Sequence, residues 1–273
     1  MITDNQNKAL SGATVEAVKL YNEAVKAFNI YRGDPVGLLN RAIELAPDFA
    51  MAHILKAHLF GLATEPGATN EAKAIVARVK SQRLSEREAS HVAALDLLLE
   101  GQWTAAAVAL DRHSVDHPHD IVALQSGHLM DFYRANARDL RDRIARALPN
   151  WSADMPGYSI LLGMYSFGLE ETGDYGRAED AGRRALDLQP LVISTPAISA
   201  RRNRPLSSGQ LTASFCPIGV QASPSSVTKY EPATLIQGRP AADLGEESST
   251  SPTCGVANLI SFKACSDFVR GAV

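Results

Sequence analysis

Cysteine is nearly missing from this chain: three residues in 273, Cys216, Cys254 and Cys265, none paired at short spacing. That excludes a disulfide framework and any zinc motif built on close pairs such as Cys-x-x-Cys, so the thiols read as incidental. An excess of one charge is missing too. With 27 Lys and Arg against 30 Asp and Glu the net charge is -3. Such a balance offers no field for nucleic acid or an anionic membrane surface, which need clustered cations. No run of about 18 apolar residues occurs, and residues 1–6 lack the basic start and apolar core of a signal peptide. The expectation is a cytoplasmic protein without nucleic-acid or membrane partners. A Gly-x-Ser-x-Gly elbow, a phosphate loop and, in the first 190 residues, a Cys-His pair are also missing. No cofactor or metal is therefore expected, and a binding protein is expected in preference to an enzyme.

What is there changes character near Pro190. Both tryptophans, Trp103 and Trp151, precede it and all three cysteines follow it. Serine and proline run at least twice as dense over residues 191–273, in stretches such as Pro205-Leu206-Ser207-Ser208-Gly209. That density of turn and breaker residues predicts a mostly disordered tail behind an ordered domain of residues 1–190.

Within residues 1–190 apolar residues recur at helical spacing. Tyr158, Leu161, Leu162, Tyr165 and Leu169 mark one buried face, and Met51, Ile54, Leu55 and Leu62 another. Helix starts are signalled by Asp34-Pro35, by Ser85 with Glu88 as a capping box, and by Asp120 and Asp174. Stops are expected at Gly61, Gly101, Gly173 and the prolines. About five helix pairs result, near 13–46, 49–81, 85–116, 120–148 and 157–188, and the fold class is all-α.

Two units align without a gap. Gly101, Trp103, Ala106, Leu110 and Pro118 share their offsets with Gly173, Tyr175, Ala178, Gly182 and Pro190. Glycine turns the chain, the aromatic anchors the second helix, alanine permits close helix approach and proline ends the hairpin. Recurrence near a period of about 34 residues is the tetratricopeptide pattern. Ala42-Ile43-Glu44-Leu45-Ala46-Pro47 and Ala185-Leu186-Asp187-Leu188-Gln189-Pro190 repeat the hairpin end. A TPR-like superhelix is expected.

Gly163-Met164-Tyr165-Ser166-Phe167-Gly168-Leu169-Glu170-Glu171-Thr172-Gly173-Asp174-Tyr175, with Arg141-Asp142-Arg143-Ile144-Ala145-Arg146-Ala147-Leu148-Pro149 before it, resembles the tetratricopeptide repeat protein 38 family. The resemblance covers residues 15–190 and is most specific over 157–190. It implies an all-helical repeat protein of about twice this helical length and brings no reaction or catalytic residue with it. The family continues past Pro190 with further hairpins, and here that continuation is replaced. A frameshift or truncation near codon 190 is expected in preference to a natural tail; an intact reading frame whose tail peptides are seen by mass spectrometry would contradict it. Self-association through the uncapped last hairpin would follow.

Four groups of polar residues are candidates for chemistry. His113, His117 and His119 could share a metal, but they fall at a helix end where histidine suits the terminal carbonyls and Pro118 interrupts them, so no metal is expected. Glu88-x-x-His91 has di-iron spacing but lacks a second pair, and reads as a capping glutamate followed by an ordinary histidine. Arg134, Arg138, Arg141, Arg143 and Arg146, interleaved with Asp139 and Asp142, read as a salt-bridged exposed helix. Lys19, Asn22 and Lys26 on the first helix, with His53 and Lys56 on the third, form the candidate groove face that would hold a peptide or protein partner. The rival expectation is a piece of an enzyme or small-molecule-binding repeat, completed by helices after residue 190.

Overall fold

The computed structural model describes residues 2–189. Pro190, the cysteines, the tail and the frameshift reading lie outside the described residues.

Among the described residues ten α-helices follow one another: α1 Val15–Ile30, α2 Pro35–Leu45, α3 Ala50–Leu62, α4 Pro66–Lys80, α5 Glu86–Leu99, α6 Trp103–Asp116, α7 Ile121–Tyr133, α8 Ala137–Ala147, α9 Tyr158–Glu171 and α10 Tyr175–Leu188. Among the described residues there is no strand, only an isolated antiparallel bridge between Thr3 and Ala9. No helix among them is long and apolar enough to cross a membrane. Each odd-numbered helix packs on the even one after it, and each even one on the next odd one, as in a helical repeat.

The starts follow local chemistry. Asp34 accepts from Gly37 N-H at 2.8 Å with Pro35 at the first helical position. Ser85 and Glu88 form the reciprocal capping box. Asp120 caps α7 through Ala123 N-H at 3.2 Å.

The turns inside three hairpins share one geometry. Gln102, Asn136 and Asp174 N-H groups reach back to the carbonyls of Leu97, Asp131 and Leu169 at 2.9, 3.0 and 2.9 Å. The residue before each is left-handed: Gly101 at φ +78°, Ala135 at φ +54° and Gly173 at φ +82°. Glycine occupies that conformation freely, whereas Ala135 pays about 1 kcal/mol. Ala135 thus marks a fourth-hairpin turn without a glycine signal. Gly61 is a correction. It lies inside α3, where a Cβ would stand 3.0 Å from Leu98 Cδ2, and the chain turns instead at Thr64, φ +60°.

The second helices bury small faces: Ala106, Leu110, Ala178 and Ala185 are buried. Trp103 packs edge-on to Tyr133 of α7 at 5.8 Å, while its counterpart Tyr175 stays 49% exposed. Beyond α10 no further element is described.

The first helices converge. α3 touches α5 and α7, and α7 also touches α1. Every residue of α7 from Ile121 to Asp131 is buried, so this helix has no solvent face. Residues 2–13 form a strap across the same side. Leu10 N-H bonds Ile2 carbonyl at 3.0 Å, and Ser11 carbonyl accepts from Ala50 N-H at 3.1 Å.

Candidate functional site

Asp120 is 1% exposed, and its two oxygens do different work. Oδ1 caps α7. Oδ2 collects Arg87 Nε, His91 Nε2 at 3.1 Å and His113 Nε2 at 3.2 Å. A neutral His91 donating from Nε2 must accept at Nδ1, so the 3.0 Å contact there is a donation from His58 Nε2. Burial pushes His58 well below the ordinary imidazole range, and burial likewise lowers His91 against the pull of Asp120. Burial alone would raise Asp120, but Arg87 foremost, then His91 and the hydrogen bonds from both imidazoles, hold its carboxyl well below the usual range.

The strap closes this cluster. Asp4 Oδ2 lies 3.2 Å from Arg87 Nη1, and its Oδ1 accepts from Gln6 and Lys8 N-H, each at 2.9 Å. Glu88 accepts from Ser11 N at 3.0 Å and Ser11 Oγ at 2.6 Å in addition to Ser85. The capping role expected of Glu88 stands; the ordinary histidine beside it does not, because α5 turns His91 onto Asp120 and His58.

The histidine grouping is also corrected. His113 joins His91 and Asp120, whose ligand atoms lie within 4.8 Å of one another. His117 packs against the His113 ring at 4.8 Å, and His119 bonds Asn150 carbonyl at 2.7 Å beside Trp151. The three-residue cluster would suit a cation by donor type. Arg87 already sits on the same oxygen, however, and a dication there would stand against a guanidinium. The arrangement works as a hydrogen-bond network tying α3, α5, α6 and α7 to the strap.

A second buried network corrects the exposed-helix reading of the arginine run at Arg143. Arg143 is 3% exposed; its Nε donates to Asp131 Oδ2 at 2.8 Å and its Nη2 to Ala107 carbonyl at 3.0 Å. Arg134 Nη2 reaches Asp131 Oδ1 at 3.0 Å and Asp139 at 3.3 Å. Gly127 makes room for the Arg143 guanidinium, which lies 2.6 Å from where a Cβ would be. Arg141 and Arg146 do form surface pairs, with Asp142 and Asp111.

Two clefts among the described residues bear on binding. One, of about 250 Å³, lies between α1 and the start of α9; Asn5, Gln6, Asn22, Lys26, Asn29 and Gln189 line it over Ile121 and Ile160. The other, of about 530 Å³, is walled by Leu98, Leu99, Trp103, Phe132 and Tyr133. Neither is lined by His58, His91, His113 or Asp120.

The candidate groove residues divide. Asn22 and Lys26 line the smaller cleft, whereas Lys19 stands exposed outside its lining. His53 is buried with Nε2 2.9 Å from Pro47 carbonyl, and burial lowers its pKa. Lys56 donates to Asn40 Oδ1 at 2.7 Å and lies over Phe60. His53 and Lys56 thus serve the packing of α3 beside α2, apart from the α1 pair. Of the repeat-defining residues, Pro118 accepts the Trp151 indole N-H at 2.9 Å, tying the third hairpin's end to the fourth. Sequence reasoning missed Asn29, Gln189 and the strap, which carry no motif. No family model matches the chain, and no solved structure matches it.

Proposed function

We propose that the chain is a tetratricopeptide-like repeat scaffold, without chemistry of its own, that binds an extended segment of a partner protein in the amide-lined cleft between α1 and α9. The reading rests on Asn29. It is 2% exposed and lines the cleft, its Nδ2 donates to Val25 carbonyl at 2.7 Å, and its Oδ1 has no partner. A buried acceptor left unpaired costs about 1–3 kcal/mol, which a ligand N-H would recover. Around it Asn22 Oδ1 accepts from Asn5 N-H, Gln189 Oε1 from Ser159 Oγ and Gln6 Nε2 donates to Pro156 carbonyl, which leaves the Asn22 and Gln189 amide N-H groups and the Gln6 oxygen to meet a peptide backbone, and Lys26 suits a carboxylate. The strap and α7 occupy the rest of the inner side, so the bound segment would be short.

The rival enzymatic reading has the His58-His91-Asp120 array in its favour. That array supports packing better than turnover, because its members are buried and line neither cleft.

Selection from a displayed random-peptide library, followed by titration calorimetry, tests the proposal. Selected peptides are expected to lose at least about tenfold in affinity, or 1.4 kcal/mol, to Asn22→Ala and Lys26→Glu. Peptides that bind both variants unchanged, or a library that yields none, would overturn it.

A further inference from the structure

We propose that the larger cleft is a second, separate binding site that takes a small aryl carboxylate, with the ring among the aromatic walls and the acid on Arg134. The two clefts share no lining residue, so this site stands independently of peptide binding. Its volume of about 530 Å³ falls within the range for small-molecule sites.

The walls suit a flat apolar body. Trp103 and Tyr133 meet edge to face at 88°, and Phe132 tilts against Tyr133 at 54°. Rings so arranged present edges and faces to a third ring. Leu98 and Leu99 supply the aliphatic side. Gly101 adds space, since nothing lies within 4 Å of where its Cβ would be.

Arg134 supplies the polar anchor. Its Nη2 is held by Asp131 and Asp139, which orients the guanidinium, but its Nε is buried with no partner. Asp131 is shared: Arg143 holds its other oxygen at 2.8 Å. Arg143 also lies 3.7 Å from Asp111, which pairs with Arg146, so arginines and carboxylates balance across this network; Asp139 is 47% exposed and weakened by solvent. What Arg134 leaves beside the apolar chamber is one unspent donor, the N-H of its charged guanidinium. A carboxylate accepts from it in a charge-assisted bond, whereas the carbonyl of a neutral analogue of the same shape accepts more weakly.

The test titrates the full chain with 4-phenylbutyrate and its neutral amide, following tryptophan fluorescence and calorimetry. The acid is expected to bind at least about tenfold more tightly than the amide. Trp103→Phe should abolish the fluorescence change while calorimetry still detects binding, because the other tryptophan, Trp151, is engaged with Pro118 outside the cleft. Thr69→Phe, at a half-exposed position on the rim, should fill the cleft and remove binding with the circular dichroism unchanged. Arg134→Gln should equalise acid and amide. Equal binding of both by the unaltered chain, affinity untouched in Thr69→Phe, or no heat up to about 1 mM acid would each overturn the proposal.

Discussion

Asp120 looks in sequence like one more helix cap, and its Oδ1 does accept the Ala123 N-H; the other oxygen, facing inward, gathers an arginine and two histidines from α5 and α6. That second role needs contacts across 29 and 33 residues, which local spacing cannot display. The same holds for Arg143, indistinguishable in sequence from exposed Arg146 until Gly127 on α7 makes room for it. These buried groups predict a pH dependence. Burial lowers the folded-state pKa of His53, His58 and His91, and that of His128 to about 3. Above the unfolded pKa of about 6.5 both states are neutral and nothing is lost; as pH falls below it, only the unfolded chain protonates. Stability should decline between about pH 7 and 5, by up to about 1.4 kcal/mol per pH unit per histidine. Urea midpoints stepped through this window measure it, and a flat profile would contradict neutral burial.

At the level of elements, helix ends are the most legible part of the chain, because caps and turns are local. Ser85 with Glu88, Asp34 with Pro35, and Gly173 behave as their chemistry dictates. The fourth hairpin hid its turn, since Ala135 adopts the left-handed conformation that Gly101 and Gly173 advertise. How closely two helices approach is not legible. A Cβ on Gly168 of α9 would stand 2.5 Å from Arg141 Cα on α8, and backbone cannot give way as a side chain can. Gly168→Ala is expected to destabilise by about 1–3 kcal/mol in spite of alanine's better helix propensity. Gly176→Ala in α10, with nothing within 4 Å, should stabilise by about 0.5–1 kcal/mol. Equal shifts in thermal midpoint for the two would refute the close approach of α8 and α9.

For the whole molecule, the strap makes the difference between a stack of hairpins and a closed interior. Residues 2–13 have no helical pattern, yet Asp4 pairs with Arg87 and Ser11 with Glu88. Deleting residues 2–10 should lower unfolding free energy by about 3 kcal/mol or more, since it strips one partner from a buried ion network. An unchanged denaturation midpoint would show the strap to be peripheral.

The sequence by itself determined about five helix pairs and the caps at Asp34, Ser85, Asp120 and Asp174, because hydrophobic period, capping and short connections act within a few residues. Only tertiary structure decided which polar residues are buried together, where the inner side stays open, and that Lys26 lines a cleft while Lys56 braces a neighbouring helix. Those outcomes depend on the angles at which hairpins stack, and stacking angles are set by packing summed over the whole interior, which no single motif encodes.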